Sequence, residues 1–292
     1  MSWEEDKEII TQEYFRAINE NNIHLFGIIK ENLSEVQPVM PLIEFIISRL
    51  ETVTTLTIDN KFWDAEIILR SALETFTKLL FITTTDKNEQ KNRITEFWED
   101  LAEINAIKQS EQAKRNLKQL GDIEINRLAY SPMILTEKEE ERLRSKWPKS
   151  KRQKIEQKWS FTEMIFSISK SYHGKPFEMI VALTHSYRIS SHVMHGDETG
   201  ILIIKERESR NNEAYEVAMR GHYLRLLSDC FIYCAFLAIE IMDFLKLEKN
   251  KKFFFKNQKS LQKIDALVQK YHGKVFDDSD YDKYRKNFRE HS

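Results

Sequence analysis

A run of imidazole and guanidinium side chains in the second half of the chain can transfer protons and bind phosphate. Segment 185–197 reads HSYRISSHVMHGD. At about 100° per residue on a helix, its His185, Arg188, His192 and His195 fall within an arc of about 80°. Neighbouring positive charge favours the neutral imidazole. A histidine here can therefore take a proton from a hydroxyl while the guanidinium stabilises charge on phosphorus. The alternative is a helix face with incidental, solvated histidines.

A second polar stripe lies on an otherwise apolar predicted helix. Its members are spaced four, four and three residues apart: Glu66, Arg70, Glu74 and Thr77. The spacing predicts an ion pair between Arg70 and Glu74. Two interpretations stay open for this pair. It is either a surface salt bridge worth under about 1 kcal/mol, or Glu74 reaches across the bundle to orient Arg188 or His195, as carboxylates behind a functional histidine do.

Other chemistries have less support in the sequence. Zinc accepts histidine and aspartate ligands, but no His-Glu-x-x-His motif is present. We therefore predict no metal site and no cofactor. No glycine-rich loop suited to a nucleotide phosphate occurs. Ser190 and Ser191 lack the motif that surrounds a hydrolase nucleophile.

The composition favours helices as the elements that position these residues. The chain has only 7 Gly and 5 Pro in 292 residues, whereas average usage would give about 20 and about 15. Sheets and hairpins need such residues at their turns. The sequence therefore predicts an all-α protein with more than roughly 60% helix, about twice the globular average.

Apolar residues at three- and four-residue steps predict the helices. The predicted ranges are 4–31, 41–57, 61–83, 161–172, 177–195, with Gly196 as its stop, and 212–246. We predict a helical bundle formed by 37–86 and 158–246, with four segments in all. The others are an N-terminal helix in 1–36, a long polar helical insert in 87–157, and a Lys-rich C-terminal tail in 247–292 with one short helix near 260–271.

Charge restricts the partners. The formal net charge is −1, so attraction for a polyanion must come from a local patch. The stretch 142–158 has eight basic residues and one acidic residue. We predict weak RNA contacts from its centre, at Lys149, Lys151, Arg152 and Lys154. A merely solvated arm is the alternative.

Cysteine usage and the absence of targeting signals indicate the cytoplasm. Cys230 and Cys234 are predicted to be buried and reduced on one helix. The acidic start MSWEEDKE has no apolar core of a secretory signal. The most apolar stretch, 230–245, contains Glu240 and Asp243 and is shorter than a membrane span. We expect a soluble protein without membrane association.

The polar stripes resemble a known superfamily. The piece LRSALE at 69–74, the pair Trp159-Ser160, and Tyr187-x3-Ser191-x3-His195-Gly-Asp197 are similar to a bacterial family of uncharacterised helical proteins. Arg188-x6-His195 also resembles the signature of the HEPN superfamily of nucleotide-binding helical bundles, an Arg and a His separated by four to six residues. The resemblance covers about half of the chain, within 40–85 and 158–246.

The resemblance implies metal-independent RNA cleavage in toxins and antiphage defence systems, by a homodimer whose active site lies across the interface. It implies that Arg188 binds the scissile phosphate and that His195 acts on the 2′-hydroxyl or the leaving oxygen. The polar residues around this pair are expected to support it: Arg70, Glu74, Tyr187, Ser191, His192 and Asp197. Of these, His192 is expected to matter less than His195.

A second function class remains open. The chain could be a non-catalytic helical module that binds a partner protein, for example within a defence or toxin–antitoxin system, or a nucleotide. In that case segment 142–158 and the lysines of 246–263 would be the working surfaces. Burial of Arg188 and His195 in apolar or ion-pair contacts would favour the module.

Overall fold

The structure is a computed structural model that describes residues 2–121, 123–171, 180–181, 183–247 and 251–272. Within these ranges, the side chains at 183–186, 251–258, 260 and 272 lie outside the description. Helices account for 89% of the described residues, and none of these residues lies in a β-strand. The predicted all-α class is therefore confirmed, as is a helical share above ~60%.

Where the structure describes both ends of a predicted helix, the bounds agree to within a few residues, except at the C-terminal helix. In chain order the helices are α1 (Trp3–Glu31), α2 (Leu33–Val36), α3 (Met40–Ile58), α4 (Phe62–Thr83), α5 (Lys87–Thr95), α6 (Leu101–Leu120), α7 (Glu124–Tyr130), α8 (Glu137–Lys146), α9 (Lys149–Lys158), α10 (Phe161–Ser171), α11 (Leu183–His195), α12 (Glu198–Glu208), α13 (Asn212–Phe244) and α14 (Lys251–His272). The predicted start of the histidine-bearing helix at Phe177, and the side chain of His185, lie outside the described residues.

The chain divides into two compact units. The first contains Met1–Leu79 and Ala182–Ser292, and the second contains Leu80–Val181. The division falls within α4 and places α10 in the second unit. Both candidate stripes belong to the first unit, whereas the basic segment belongs to the second. The predicted limits of the insert, 87 and 157, both lie inside the second unit.

Side-chain caps fix where several helices begin. Ser2 and Glu5 form a capping box at α1, and the predicted box of Thr136 and Glu139 begins α8. In each box, the side chains satisfy backbone N–H groups that have no partner within the first helical turn. Asn211 caps α13 in the simpler way, by accepting a hydrogen bond from the N–H of Ala214. These local signals explain why the helix starts could be read from the sequence.

The core of the first unit is built around α13, which packs against α1, α3 and α14. Buried apolar residues on α1 and α3 include Ile10, Leu25, Ile43 and Leu50. Cys230 and Cys234 are buried free thiols, as predicted. Burial raises the pKa of Cys230 to about 12, so this thiol stays protonated and unreactive.

The C-terminal helix is longer than the short one predicted near 260–271, and it is part of the first unit. α14 packs along α1 and α13. The Lys270 ammonium and the Tyr271 hydroxyl donate to the same oxygen of buried Asp6, at 2.7 and 2.6 Å. The hydrogen bond from Lys270, and to a smaller extent that from Tyr271, holds the pKa of Asp6 below its usual value. The end of α14 is therefore attached to the start of α1.

The second unit has a small core of its own. Ile104, Ile107, Leu143 and Trp147 are buried against one another. The indole N–H of Trp147 donates to Glu103 at 2.8 Å. A matching pair follows, in which the indole of Trp159 donates to Glu96 at 3.0 Å. Each tryptophan thus buries its ring and satisfies its polar atom.

Candidate functional site

Arg188 and His195 are both exposed on α11. They are seven residues apart, so they lie within about 20° of each other around the helix. Neither side chain forms a hydrogen bond or ion pair with any residue that the structure describes. Ser191, predicted as a supporting residue, is half-buried and likewise makes none. Arg188 and His195 are therefore open to a ligand, and the burial that would have favoured the non-catalytic module is not observed.

Another side of α11 faces α4 through Tyr187 and Met194. The guanidinium of Arg70 donates to the Tyr187 hydroxyl at 2.8 Å and to the Met194 thioether at 2.7 Å. It also lies 4.5 Å from the centre of the Tyr187 ring. A guanidinium over an aromatic face is electrostatically favourable. Arg70 therefore fixes the orientation of α11 about its axis.

Glu74 reaches the histidine-bearing helix, but at Tyr187. One of its oxygens accepts from Arg70 at 2.9 Å and from the Tyr187 hydroxyl at 2.8 Å. Arg70 is only 9% exposed, so the pair is not a simple surface salt bridge. Its role is to join α4 to α11, and neither Arg188 nor His195 accepts or donates a bond to it. Burial raises the pKa of Tyr187, which keeps this hydroxyl protonated.

His192 is held by a carboxylate. Its Nδ1 lies 2.7 Å from Asp197 Oδ2. Between them the chain turns at Gly196, whose φ of +57° is in the left-handed region that favours glycine. Asp197 also caps α12 by accepting from the N–H of Gly200 at 3.1 Å. The hydrogen bond from His192, and secondly that from the Gly200 N–H, lowers the pKa of Asp197. This carboxyl is therefore ionised at neutral pH.

We expect Gly200→Ala to lower the free energy of unfolding by disturbing the junction of α11 and α12. A Cβ at Gly200 would overlap the backbone carbonyl of His192, which cannot move without shifting the end of α11. Such overpacking costs about 1–3 kcal/mol, which urea unfolding would measure. Gly27→Ala is the matched control, because no atom lies within 4 Å of a Cβ there. Gly27 is exposed and lies four residues before the end of α1, so that change should stabilise by up to about 1 kcal/mol. Equal effects at both positions would contradict the packing described.

A buried polar network next to this junction was not predicted. His222 of α13 is 3% exposed, and its Nε2–H donates to Glu66 at 2.7 Å. Arg207 donates to His222 Nδ1 at 2.6 Å and lies 4.8 Å from the Trp63 ring centre. Arg225 forms an ion pair with Glu66. The signal in the sequence was the presence of Glu66 on apolar α4 and of His222 on apolar α13. Ionisable residues on such helices need a partner when they are buried.

Ser190 extends this network to α11. It is 5% exposed, and its hydroxyl donates to Glu66 at 3.3 Å. Glu66 therefore joins α4 to both α11 and α13.

The protonation state of His222 should make stability depend on pH. Burial, and secondly the charge of Arg207, lower the pKa of His222 from 6.5 to about 3. Below pH 6.5 the histidine is protonated in the unfolded chain but stays neutral in the folded protein. Its contribution to the free energy of unfolding is therefore fully present above pH 6.5 and is lost as the pH falls towards 3. The loss approaches about 1.4 kcal/mol per pH unit.

Urea unfolding between pH 6.5 and 5 measures this slope, because most carboxylates stay ionised there. The control is His222→Gln, which can accept from Arg207 and donate to Glu66 without titrating. His24, whose pKa burial also lowers, contributes equally to both proteins. We expect the wild-type slope to be steeper, and identical slopes would contradict the neutral state of His222.

Five of the eight basic residues of segment 142–158 form ion pairs with described acidic neighbours, and the predicted RNA contacts fall partly among the others. Arg152 is 14% exposed and lies 3.9 Å from Glu111. Lys151 is exposed, with its ammonium 4.3 Å from the centre of the Trp147 ring. Lys149 and Lys154 are also exposed, and neither has an ion pair with a described residue. Of the four predicted RNA contacts, these three lysines therefore remain available to a phosphate.

The described residues do not gather three or more His, Cys, Asp or Glu side chains in an arrangement that could hold a metal ion. Of the helices that can be described, none combines the length and the apolar character needed to cross a membrane. Comparison with protein-family models, curated proteins and solved structures found no match to this chain. The case for a function therefore rests on the geometry of α11 and its neighbours.

Proposed function

We propose that the chain is a metal-independent endoribonuclease of the HEPN type, acting as a toxin or as an effector of antiphage defence. The observation that carries the proposal is the pairing of exposed Arg188 and His195 on one face of α11, free of contacts with described residues. Cationic and imidazole side chains in a purely structural role would be expected to bind acidic neighbours, as Arg70 and His222 do.

The proposed chemistry needs no metal ion. The 2′-oxygen of a nucleotide attacks the adjacent phosphorus, and the products are a 2′,3′-cyclic phosphate and a free 5′-hydroxyl. Arg188 neutralises the phosphate as negative charge grows on its oxygens. His195 transfers a proton at one of the two reacting oxygens. The contacts of Arg70 and Glu74 with Tyr187 support the site by holding α11 in place.

RNA is the proposed partner, and the exposed lysines of α9 are proposed to contribute weak phosphate contacts. Lys149, Lys151 and Lys154 are suited to this because they are exposed. Contacts of this kind add affinity without sequence preference and weaken as salt rises. A partner protein of a defence or toxin–antitoxin system could regulate the site, and we place the protein in the cytoplasm.

We further propose a homodimer, because the HEPN resemblance implies an active site completed by two copies. The expected result in light scattering at micromolar concentration is about twice the chain mass of 34.9 kDa. A mass equal to that of one chain would contradict the shared site.

A non-catalytic module that binds a partner protein is the competing proposal, and one observation favours it. Large apolar side chains around α7 in the second unit are at least half exposed: Leu120, Ile123, Ile125, Leu128 and Met133. Clusters of this kind commonly mark protein contacts. In that case Leu128→Glu would abolish binding of the partner protein, while Arg188→Ala would leave this binding intact.

The test is incubation of the purified protein with total RNA in EDTA, beside the Arg188→Ala and His195→Ala variants. The matched control is Lys205→Ala, which removes an exposed cation from α12 that pairs only with Glu208 among the described residues. We expect cleavage by the wild type and the control but not by the two site variants. Intact RNA in every lane would refute the ribonuclease and leave the module.

A further inference from the structure

We propose that His192, held by Asp197, is the general base of the reaction, and that His195 is the general acid. This inference rests on the proposed ribonuclease and assigns the two proton transfers that the HEPN resemblance leaves open between reacting oxygens. It also gives His192 a loss comparable to that of His195, in place of the expectation that His192 matters less. The juxtaposition that carries it is the His192–Asp197 hydrogen bond one helical turn from Arg188.

The tautomer of His192 is set by its partner. An ionised carboxylate only accepts hydrogen bonds, so at 2.7 Å the Nδ1 of His192 must be the donor to Asp197. In the neutral ring, Nε2 is then unprotonated. Nε2 makes no hydrogen bond to a described residue, and the side chain is 28% exposed. His192 therefore presents a free proton acceptor in a fixed orientation, whereas no described residue orients His195.

Asp197 is itself anchored, which makes it a positioning residue for the ring. One oxygen accepts from the Gly200 N–H at the first turn of α12, and the other faces His192. The positive end of the α12 dipole also favours the carboxylate form. The base is thus held at the junction of α11 and α12, where the backbone of Gly200 lies close to the His192 carbonyl.

Helix geometry places His192 closer to Arg188 than His195 is to Arg188. Residues four apart on one helix have Cβ atoms about 5–6 Å from each other, so Arg188 and His192 can both contact a single phosphodiester. Arg188 and His195 are about 10 Å apart along the axis. His192 and His195 are three residues apart and are also neighbours. Two imidazoles at that spacing can flank one phosphorus, with the 2′-oxygen near His192 and the leaving oxygen near His195.

The proposed step balances protons and bonds. His192 Nε2 takes the proton of the 2′-hydroxyl while the bond from the 2′-oxygen to phosphorus forms. The bond from phosphorus to the 5′-oxygen breaks, and the protonated ring of His195 gives its proton to that oxygen. Arg188 stabilises the charge on the non-bridging oxygens throughout. The two histidines end with their proton states exchanged, and water restores them before the next turnover.

The test compares two versions of a short RNA that the wild-type protein cleaves. In the second version, sulfur replaces the 5′-oxygen at the cleaved bond, so the leaving thiolate needs no proton. On ordinary RNA we expect His192→Gln to lower kcat about 100-fold and Asp197→Asn about 10-fold. On the sulfur-containing RNA, His195→Ala should regain most of the wild-type rate, whereas His192→Gln should not.

Two further readouts separate positioning from folding. Asparagine is a good N-cap, so Asp197→Asn should stay folded by circular dichroism. It should also lower kcat while leaving KM near the wild-type value, because the His192 ring loses its fixed orientation while Arg188 still binds the phosphate. A merely structural defect of the site would change both kcat and KM. Glu198→Gln, which removes the neighbouring exposed carboxylate, should behave as the wild type.

The outcomes are distinct. Wild-type protein that cuts no RNA would end the proposed function and this assignment together. Wild-type cleavage with full activity of His192→Gln and Asp197→Asn would end the assignment alone. Recovery of His192→Gln, and not of His195→Ala, on the sulfur-containing RNA would show that the two roles are reversed.

Discussion

Replacing Glu66 by alanine is expected to lower the free energy of unfolding by about 3–5 kcal/mol. Glu66 is 8% exposed and accepts from Ser190, His222 and Arg225. Its removal leaves the buried Nε2–H of His222 without an acceptor and Arg225 without its counter-charge. Losing one partner of a buried charged network costs this much because the remaining groups stay desolvated. Urea unfolding followed by circular dichroism measures the change.

Glu74→Ala is the matched control on the same side of α4. Its carboxylate is 32% exposed and accepts from Arg70 and Tyr187. Because water can reach this site in part, we expect a smaller loss of about 1–3 kcal/mol. Glu66→Gln should fall between the two, since its amide oxygen can still accept one of the three bonds. Losses of similar size at Glu66 and Glu74 would mean that the buried network does not stabilise the first unit.

Removing either Arg188 or His195 is expected to slow RNA cleavage by about 100-fold or more. Arg188 stabilises charge on the phosphate and His195 handles a proton, and each effect typically has this magnitude. The double variant should lose little beyond the worse single variant, because members of a catalytic unit are not additive. Single-turnover rates at saturating RNA measure the three losses.

Stability serves as the control for these variants. Both side chains are exposed and without contacts among the described residues, so unfolding free energies should stay within about 0.5 kcal/mol of the wild type. Additive losses in the double variant would show that the two residues act in separate steps. Variants that unfold would show that the residues are structural.

Local signals in the sequence predicted most of the helices. The apolar periodicity of α1, α3, α4 and α13, and the scarcity of glycine and proline, are properties of short windows. The capping box at Thr136 is equally local. The extent and packing of α14 were missed, because its attachment depends on Lys270 and Tyr271 meeting Asp6 at the opposite end of the chain. No sequence window contains both partners.

The candidate site shows the same limit. The Arg70–Glu74 pair followed from its four-residue spacing, and it is present. That Glu74 would meet Tyr187 depends on how α11 is rotated against α4, which the sequence pattern leaves undefined. His222 and Glu66 are 156 positions apart, and their pairing requires the two apolar helices to be placed in space. The His192–Asp197 bond depends on the turn at Gly196. The sequence predicted the position of this turn but not the side-chain contact across it.

The central claim, cleavage of RNA by its own 2′-hydroxyl at the α11 face, is tested most directly with two RNAs of one sequence in EDTA. One is unmodified, and the other has 2′-O-methyl groups at every position. We expect the wild-type protein to cut only the unmodified RNA, to leave 2′,3′-cyclic phosphate ends, and to lose this activity in Arg188→Ala. Cleavage of the methylated RNA, or no cleavage of either, would contradict the account.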